Sequence, residues 1–366
     1  MSQETWTRKA LNRALLARQM LLAREETSTL VVIEHLVGLQ AQLARPPFTG
    51  LWSRIAGFQR EDLRSLIHSR QVVRGTLMRC TLHLMSWRDY AAFRPVLQPA
   101  LSLGMRTILR DRVMSFDMDA LLAEARRLFA ERPRTFLELR AALLERFPDA
   151  DERAMGYAVR THLPLIARPG EHEWGFHGDA AFALAEEWLD RPLETDDRPH
   201  ALVLRYLAAF GPASAADIQA WSGLAGLAAV LNDLRPQLRV FRDERRRELF
   251  DLPEAPRPPE DTPVPVRFVA DFDNLILSHA DRTRVIADEH RRVVITNNGQ
   301  ILPTFLVDGF VAGTWRVCRV RKMAALTVFP FAPLSSALQS DQAVEGEKLV
   351  RFLQPDADQF DLQFEA

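Results

Sequence analysis

Between residues 253 and 265 the chain reads PEAPRPPEDTPVP, six prolines in thirteen positions. Proline has no N–H to donate and clashes with a preceding helical turn, so this stretch can be neither helix nor central strand. It reads as a stiff, extended linker. The two sides of it differ in period. Before it, apolar residues recur at helical spacing; after it, short segments alternate with a period of two and are broken by turn dipeptides. The chain therefore divides into a long helical part and a β-rich part at residues 264–366.

The helical part opens with TRKALNRALLARQMLL, with Leu11, Leu15 and Leu22 among apolar positions at helical spacing. After the capping hydroxyls of TST comes LVVIEHLVGLQAQLA, in which Val32, Leu36, Leu39 and Leu43 share a face. The spacing predicts a helix that carries Gln40, Ala41 and Gln42 on its last turn and stops against Pro46 and Pro47. A third helix, EDLRSLIHSR, precedes QVVRGTLMRCTLHLMS, which reads as a hairpin. Helices followed by a hairpin are the winged-helix order. The same order recurs around residues 118–177 and again around 198–252, where LRVFRDERRRELFDL supplies a wing with a charged tip. The expected architecture is α+β: winged-helix units at 1–115, 116–195 and 196–255, then a β-barrel-like domain at 264–366. In that last domain VRFVAD, LILSH, RRVVIT, TFLV, FVAGTWRVCRV and AALTVFPF read as strands, with NNGQ and VDGF as turns between them. A helix, SDQAVEGEKLVRFLQ, and a strand, QFDLQFE, close it.

No apolar run approaches the roughly 18 residues of a membrane span, and MSQETWTRKALNR lacks a signal peptide's apolar core. Cys80 and Cys318 have no metal-ligand spacing, so neither a disulfide framework nor a zinc site is expected, and a reducing cytoplasm is. The histidines and carboxylates do not cluster at ligand spacing, so no metal or other cofactor is expected. The net charge of −1 conceals an asymmetry: residues 1–112 hold 17 Lys and Arg against 8 Asp and Glu. Either this third of the chain meets an anion, or it faces the acidic remainder within the fold.

On an ideal helix residues i and i+2 lie about 200° apart, so Gln40 and Gln42 converge only if the last turn loosens. On spacing by itself the stronger reading is two polar residues that cap carbonyls or face water at a helix end. The stretch HLVGLQAQLARPPFTGLWSRI, however, resembles the signature region of the AlkZ-like winged-helix DNA glycosylases. RGTLMRCTLHLM, FDNLILSHADRTRVI and GQILPTFLVDGFVAGTWRV match further along, so the resemblance spans essentially the whole chain. It implies removal of alkylated purines and unhooking of interstrand crosslinks, with double-stranded DNA as partner. It also implies that the family's catalytic motif, glutamine, an aliphatic residue, then glutamine or aspartate, is here Gln40, Ala41 and Gln42.

The chemistry agrees with such a substrate. An amide does not titrate near neutral pH and cannot be a general base, but its oxygen accepts and its NH2 donates. Such help suffices when the leaving group already carries a positive charge, as an N7-alkylated purine does. The expected activity is a DNA glycosylase in which Gln40 and Gln42 position water and stabilise an oxocarbenium-like sugar. It is expected to be monofunctional, because none of the three lysines, Lys9, Lys322 and Lys348, lies near the motif to form a Schiff base. The alternative is a non-catalytic winged-helix protein, a regulator or lesion binder. With no zipper in the sequence, a monomer is expected.

Arg45, Arg74 and Arg79 flank the motif and first hairpin, and are either phosphate contacts or solvated surface arginines. His279, Arg282 and Arg284 in SHADRTR form either a DNA-contacting loop or a turn-stabilising network. His83, alternating with apolar neighbours, reads as a hydrogen-bonded structural histidine.

Overall fold

The computed structural model describes residues 5–365. Three helices followed by an antiparallel strand pair occur three times along the chain. The first set has helices Thr29–His35, Pro46–Trp52 and Arg60–His68, then strands Val72–Thr76 and Leu82–Ser86. The second has Met118–Glu131, Phe136–Arg146 and Glu152–His162, then Leu165–Ala167 and Phe182–Leu184. The third has His200–Phe210, Ala215–Ser222 and Leu227–Leu234, then Arg239–Asp243 and Glu248–Asp251.

The strand pairs do not stay separate. The hairpin at 72–86 joins the second pair through Gly75 opposite Ile166, and Leu39–Gln40 adds an edge, giving one five-stranded sheet. Only glycine fits at residue 75: a Cβ there would lie 2.6 Å from the Tyr90 ring and 3.0 Å from the Leu165 carbonyl. The third pair is extended by Thr5–Trp6, parallel to Arg239–Asp243.

Two readings from the sequence are overturned. The helix expected to reach Gln42 ends at His35, and Val37 and Gly38 take positive φ, 54° and 86°. The chain thereby reverses into the strand Leu39–Gln40, paired with Leu84 and His83. Pro46 and Pro47, read as a stop, instead open the next helix, where proline's missing N–H would have had no partner anyway. The second correction concerns the β-barrel-like domain. Residues 264–366 form an open five-stranded sheet, with Gln359–Phe364 and Arg267–Val269 at opposite edges. Two of the segments expected as strands are helices, Asn274–Leu277 and Asp288–Val294. The two edge strands do not pair with each other, so the sheet stays open. The long hairpin Phe310–Val320 and Met323–Pro330 dominates the sheet, and helix Ser336–Leu353 packs against it.

The linker lies along the first helix, Arg8–Arg18. Arg13 donates to the Thr262 carbonyl and Arg18 to that of Pro256, while Arg18 and Arg257 both hold buried Asp251. The cores cross it. Leu39, Ala41, Trp52, Phe268, Phe305 and Trp315 belong to one apolar cluster; Leu15, Tyr206, Trp221, Phe272 and Leu306 belong to another. Packing across the linker is what sets the glutamine stretch against the C-terminal part.

Candidate active site

The reversal after His35 dictates where the glutamines point. Gly38 is needed twice over: its φ is in the left-handed region, and a Cβ would lie 2.9 Å from the Leu84 carbonyl. Beyond it the ladder continues as Ala41 N–H donates to the Leu82 carbonyl at 2.7 Å. The strand ends at Gln40 and Gln42 lies in the bend that follows, and from there both side chains reach one cleft without any loosening of a helix. Ala41, 1% exposed, faces the core between them.

Two arginines fasten this stretch. Arg74, itself 6% exposed, donates from Nε to the Ala41 carbonyl at 2.8 Å and from Nη2 to that of Gln42 at 3.1 Å. Burial, together with the charge of Arg160, pushes it down to about 10, so it stays protonated at neutral pH. Arg79, in the left-handed region at φ 56°, donates from Nη2 to Gln40 Oε1 at 2.8 Å and to Asn274 Oδ1 at 3.1 Å. Its Nη1 donates to the Trp221 carbonyl at 2.7 Å, and His83 Nε2 lies 3.4 Å from Nη2. These acceptors are all uncharged. Burial and the nearby Arg282 charge bring Arg79 down to about 10. His83 is fully buried, with Nδ1 3.1 Å from the Thr81 carbonyl; burial first, then Arg79, pushes it down to about 3, so it is neutral.

A guanidinium can only donate, so Arg79 fixes the Gln40 amide with its oxygen towards the arginine. The Leu82 N–H donates to Gln42 Oε1 at 3.3 Å. Each glutamine thus has its oxygen anchored and its NH2 without a protein acceptor among the described residues.

Both glutamines line a cleft of about 440 Å³. Its other walls are Tyr157 and Arg160 from helix Glu152–His162, Asp271 and Phe272, and the turn Asn298–Gly299–Gln300. Arg160 is half-buried and donates from Nε to Thr76 Oγ1 at 3.0 Å. Asp271 Oδ2 accepts from Arg45 Nη2 at 3.1 Å. Tyr157, Arg160, Asp271, Asn298 and Gln300 were not singled out by the sequence reading. Each sits in a segment with an ordinary amphipathic or turn pattern, and only tertiary folding brings them to the glutamines.

Of the sequence candidates, Arg45, Arg74 and Arg79 gather around the motif as described. Arg282 lies close enough to influence Arg79 and reaches the His279 carbonyl at 3.4 Å. His279 is buried between Ser278 Oγ and the Phe210 carbonyl, pushed down to about 3 by burial and by Arg284. Arg284 is buried, donates to the Pro212 carbonyl at 2.8 Å and lies 4.0 Å from Asp217. Neither residue lines the cleft. The charged tip at 243–248 is exposed at Glu244, Arg245 and Arg246, and Arg245 and Arg247 both pair with Asp281.

A fold of this kind, with paired amides facing a cleft, defines a class once compared with known proteins. The sequence profile described as "DNA glycosylase AlkZ-like" matches residues 33–352, and the chain belongs to that family. A curated relative, the interstrand DNA cross-link repair glycosylase of Streptomyces sahachiroi, is 25% identical over 329 residues, 86% of this chain and 88% of that one. The solved structure of the Streptomyces sahachiroi DNA glycosylase AlkZ shares the fold, with a TM-score of 0.78 over 99% of this chain and 100% of that chain, at 21% identity. DNA is therefore the substrate class. No described helix is long and apolar enough to cross a membrane.

Proposed function

We propose that this protein is a monofunctional DNA glycosylase that hydrolyses the N-glycosidic bond of N7-alkylated purines in double-stranded DNA, including bulky adducts and interstrand crosslinks. The observation that carries this reading is the convergence of Gln40 and Gln42 on one cleft, with both amides oriented by fixed donors. The NH2 groups can hold a water or a sugar oxygen, and each Oε1 keeps a second lone pair that can accept from the water or face the developing sugar cation. An N7-alkylated purine departs neutral, so its departure needs no protonation. The relative's name, with its reference to crosslink repair, supports the bulky end of the substrate range. None of the three lysines lines the cleft, which supports hydrolysis without a Schiff base. The repeated helix–hairpin sets, read as winged helices, would cradle the duplex, with Arg45, Arg79, Arg160 and Arg282 nearest the lesion and a single copy of the chain sufficing.

The test uses duplexes carrying one N7-methylguanine or one N7-linked interstrand crosslink, treated with wild type or Gln40→Ala/Gln42→Ala and then with hot alkali. Strand cleavage by wild type, reduced at least 100-fold in the double variant, is expected. Tight duplex binding by wild type with no abasic sites from either substrate would overturn the reading in favour of a non-catalytic DNA-binding protein.

A further inference from the structure

Hydrolysis releases a proton that neither glutamine can take. As water attacks, the C1′–O bond forms and the C1′–N9 bond breaks. The electron pair goes to the charged purine, which leaves neutral, and a proton must depart from the water. The surroundings make matters harder for the positive sugar: Arg79 stands behind Gln40, Arg74 behind the backbone, and Arg160 in the cleft wall. Asp271 is the one carboxylate among the described residues that line the cleft.

Its environment differs from that of its neighbour Asp273. Asp273 is buried with both oxygens on Arg54, at 2.8 and 2.9 Å, and caps the following helix through Leu275 N–H. Nothing is left over for chemistry. Asp271 is half-buried and held through Oδ2 alone, by Arg45, while Oδ1 has no donor among the described residues. Phe272, between the two, takes the left-handed conformation at φ 57° and itself lines the cleft. Such strain in a non-glycine residue is held only where surrounding structure enforces it.

We propose that Asp271 is the proton acceptor for the attacking water and the anionic partner of the developing sugar cation, with Arg45 as its positioning residue. The inference rests on the glycosylase reading above. The glutamines then orient the water, its proton passes to Asp271 Oδ1, and solvent takes it once the free base has left. The carboxylate that this Gln-Ala-Gln chain lacks at the third motif position is supplied from the C-terminal part of the chain, by a residue that lines the same cleft.

Asp271→Asn keeps the size and an oxygen for Arg45. In single-turnover excision of N7-methylguanine it should lower the rate about 100-fold or more while duplex Kd stays within twofold of wild type. Asp271→Ala should recover at least tenfold in sodium formate relative to sodium chloride at equal ionic strength, because the small anion refills the acceptor position. A purely structural carboxylate would not be rescued this way. An Asn variant within threefold of wild type overturns the inference and leaves the glycosylase reading standing. Should the Asn variant not fold, the formate experiment decides: no difference between formate and chloride overturns the inference. Failure of wild type to excise any N7-alkylpurine removes both.

Discussion

Arg79 and His83 set the electrostatics around Gln40 by opposite routes: the guanidinium keeps its charge with only neutral acceptors, and the imidazole stays neutral beside it. A neutral imidazole there leaves Nε2 free to accept from Arg79, whereas an imidazolium would set two cations against each other. This arrangement has a thermodynamic consequence. In the unfolded chain His83 takes a proton below its ordinary value of 6.5, whereas in the fold it holds off until about 3. The unfolded state therefore binds more protons throughout that window, and stability falls as pH is lowered through it. Between pH 7 and pH 5 the contribution of His83 is about 2 kcal/mol. Urea midpoints at the two pH values, for wild type and His83→Gln, check this. The variant should show a shallower pH dependence, and an identical dependence would mean that His83 takes up its proton over the same pH range folded and unfolded.

At the scale of the element, the reversal at Val37–Gly38 decides the site, because it turns an amphipathic pattern into an edge strand. Gly38→Ala puts a methyl group against the Leu84 carbonyl in a conformation L residues avoid. The expected loss is about 1–3 kcal/mol in stability, with excision falling further because the reversal that brings both amides to the cleft is disturbed. Thermal unfolding and single-turnover rates measured together separate the two effects. A variant as active and as stable as wild type would show that the strand tolerates another path. The misread helix has a plain physical cause: LVVIEHLVGLQAQLA satisfies the helical period throughout, and nothing local forbids it. The competing strand pairing with Leu84 and His83 comes from residues more than forty positions away. LILSH and RRVVIT failed in the opposite direction, since short apolar runs look alike as strand or helix, and the capping Asp273 and the acidic turn at Asp288–Glu289 were the overlooked local signals.

Across the whole molecule, one sheet joins the first two helix–hairpin sets, and two apolar cores bridge the proline linker. Gly75 is the seam of that sheet. Gly75→Ala drives a methyl group into the Tyr90 ring and the Leu165 carbonyl, and should destabilise the chain by about 1–3 kcal/mol through overpacking. Urea denaturation measures it, and an unchanged midpoint would show that the two halves can part without loss. The sequence by itself determined the helical and β-rich parts, the linker between them and the repeated helix–hairpin order, because periodicity and proline act within a few residues. Gln40 and Gln42 were legible as a pair only through the family resemblance of the stretch around them, because their spacing alone fits an ordinary helix end. What only the tertiary structure decided is the setting of that pair: the reversal into an edge strand, the anchoring of the amides by Arg79 and Leu82, and the arrival of Asp271, Tyr157 and Arg160 at the same cleft. Tyr157, Arg160 and Asp271 each lie more than a hundred positions from the glutamines along the chain, and no local preference encodes such a meeting. It follows from burying the two apolar cores, which fixes where each polar residue at their margin must emerge.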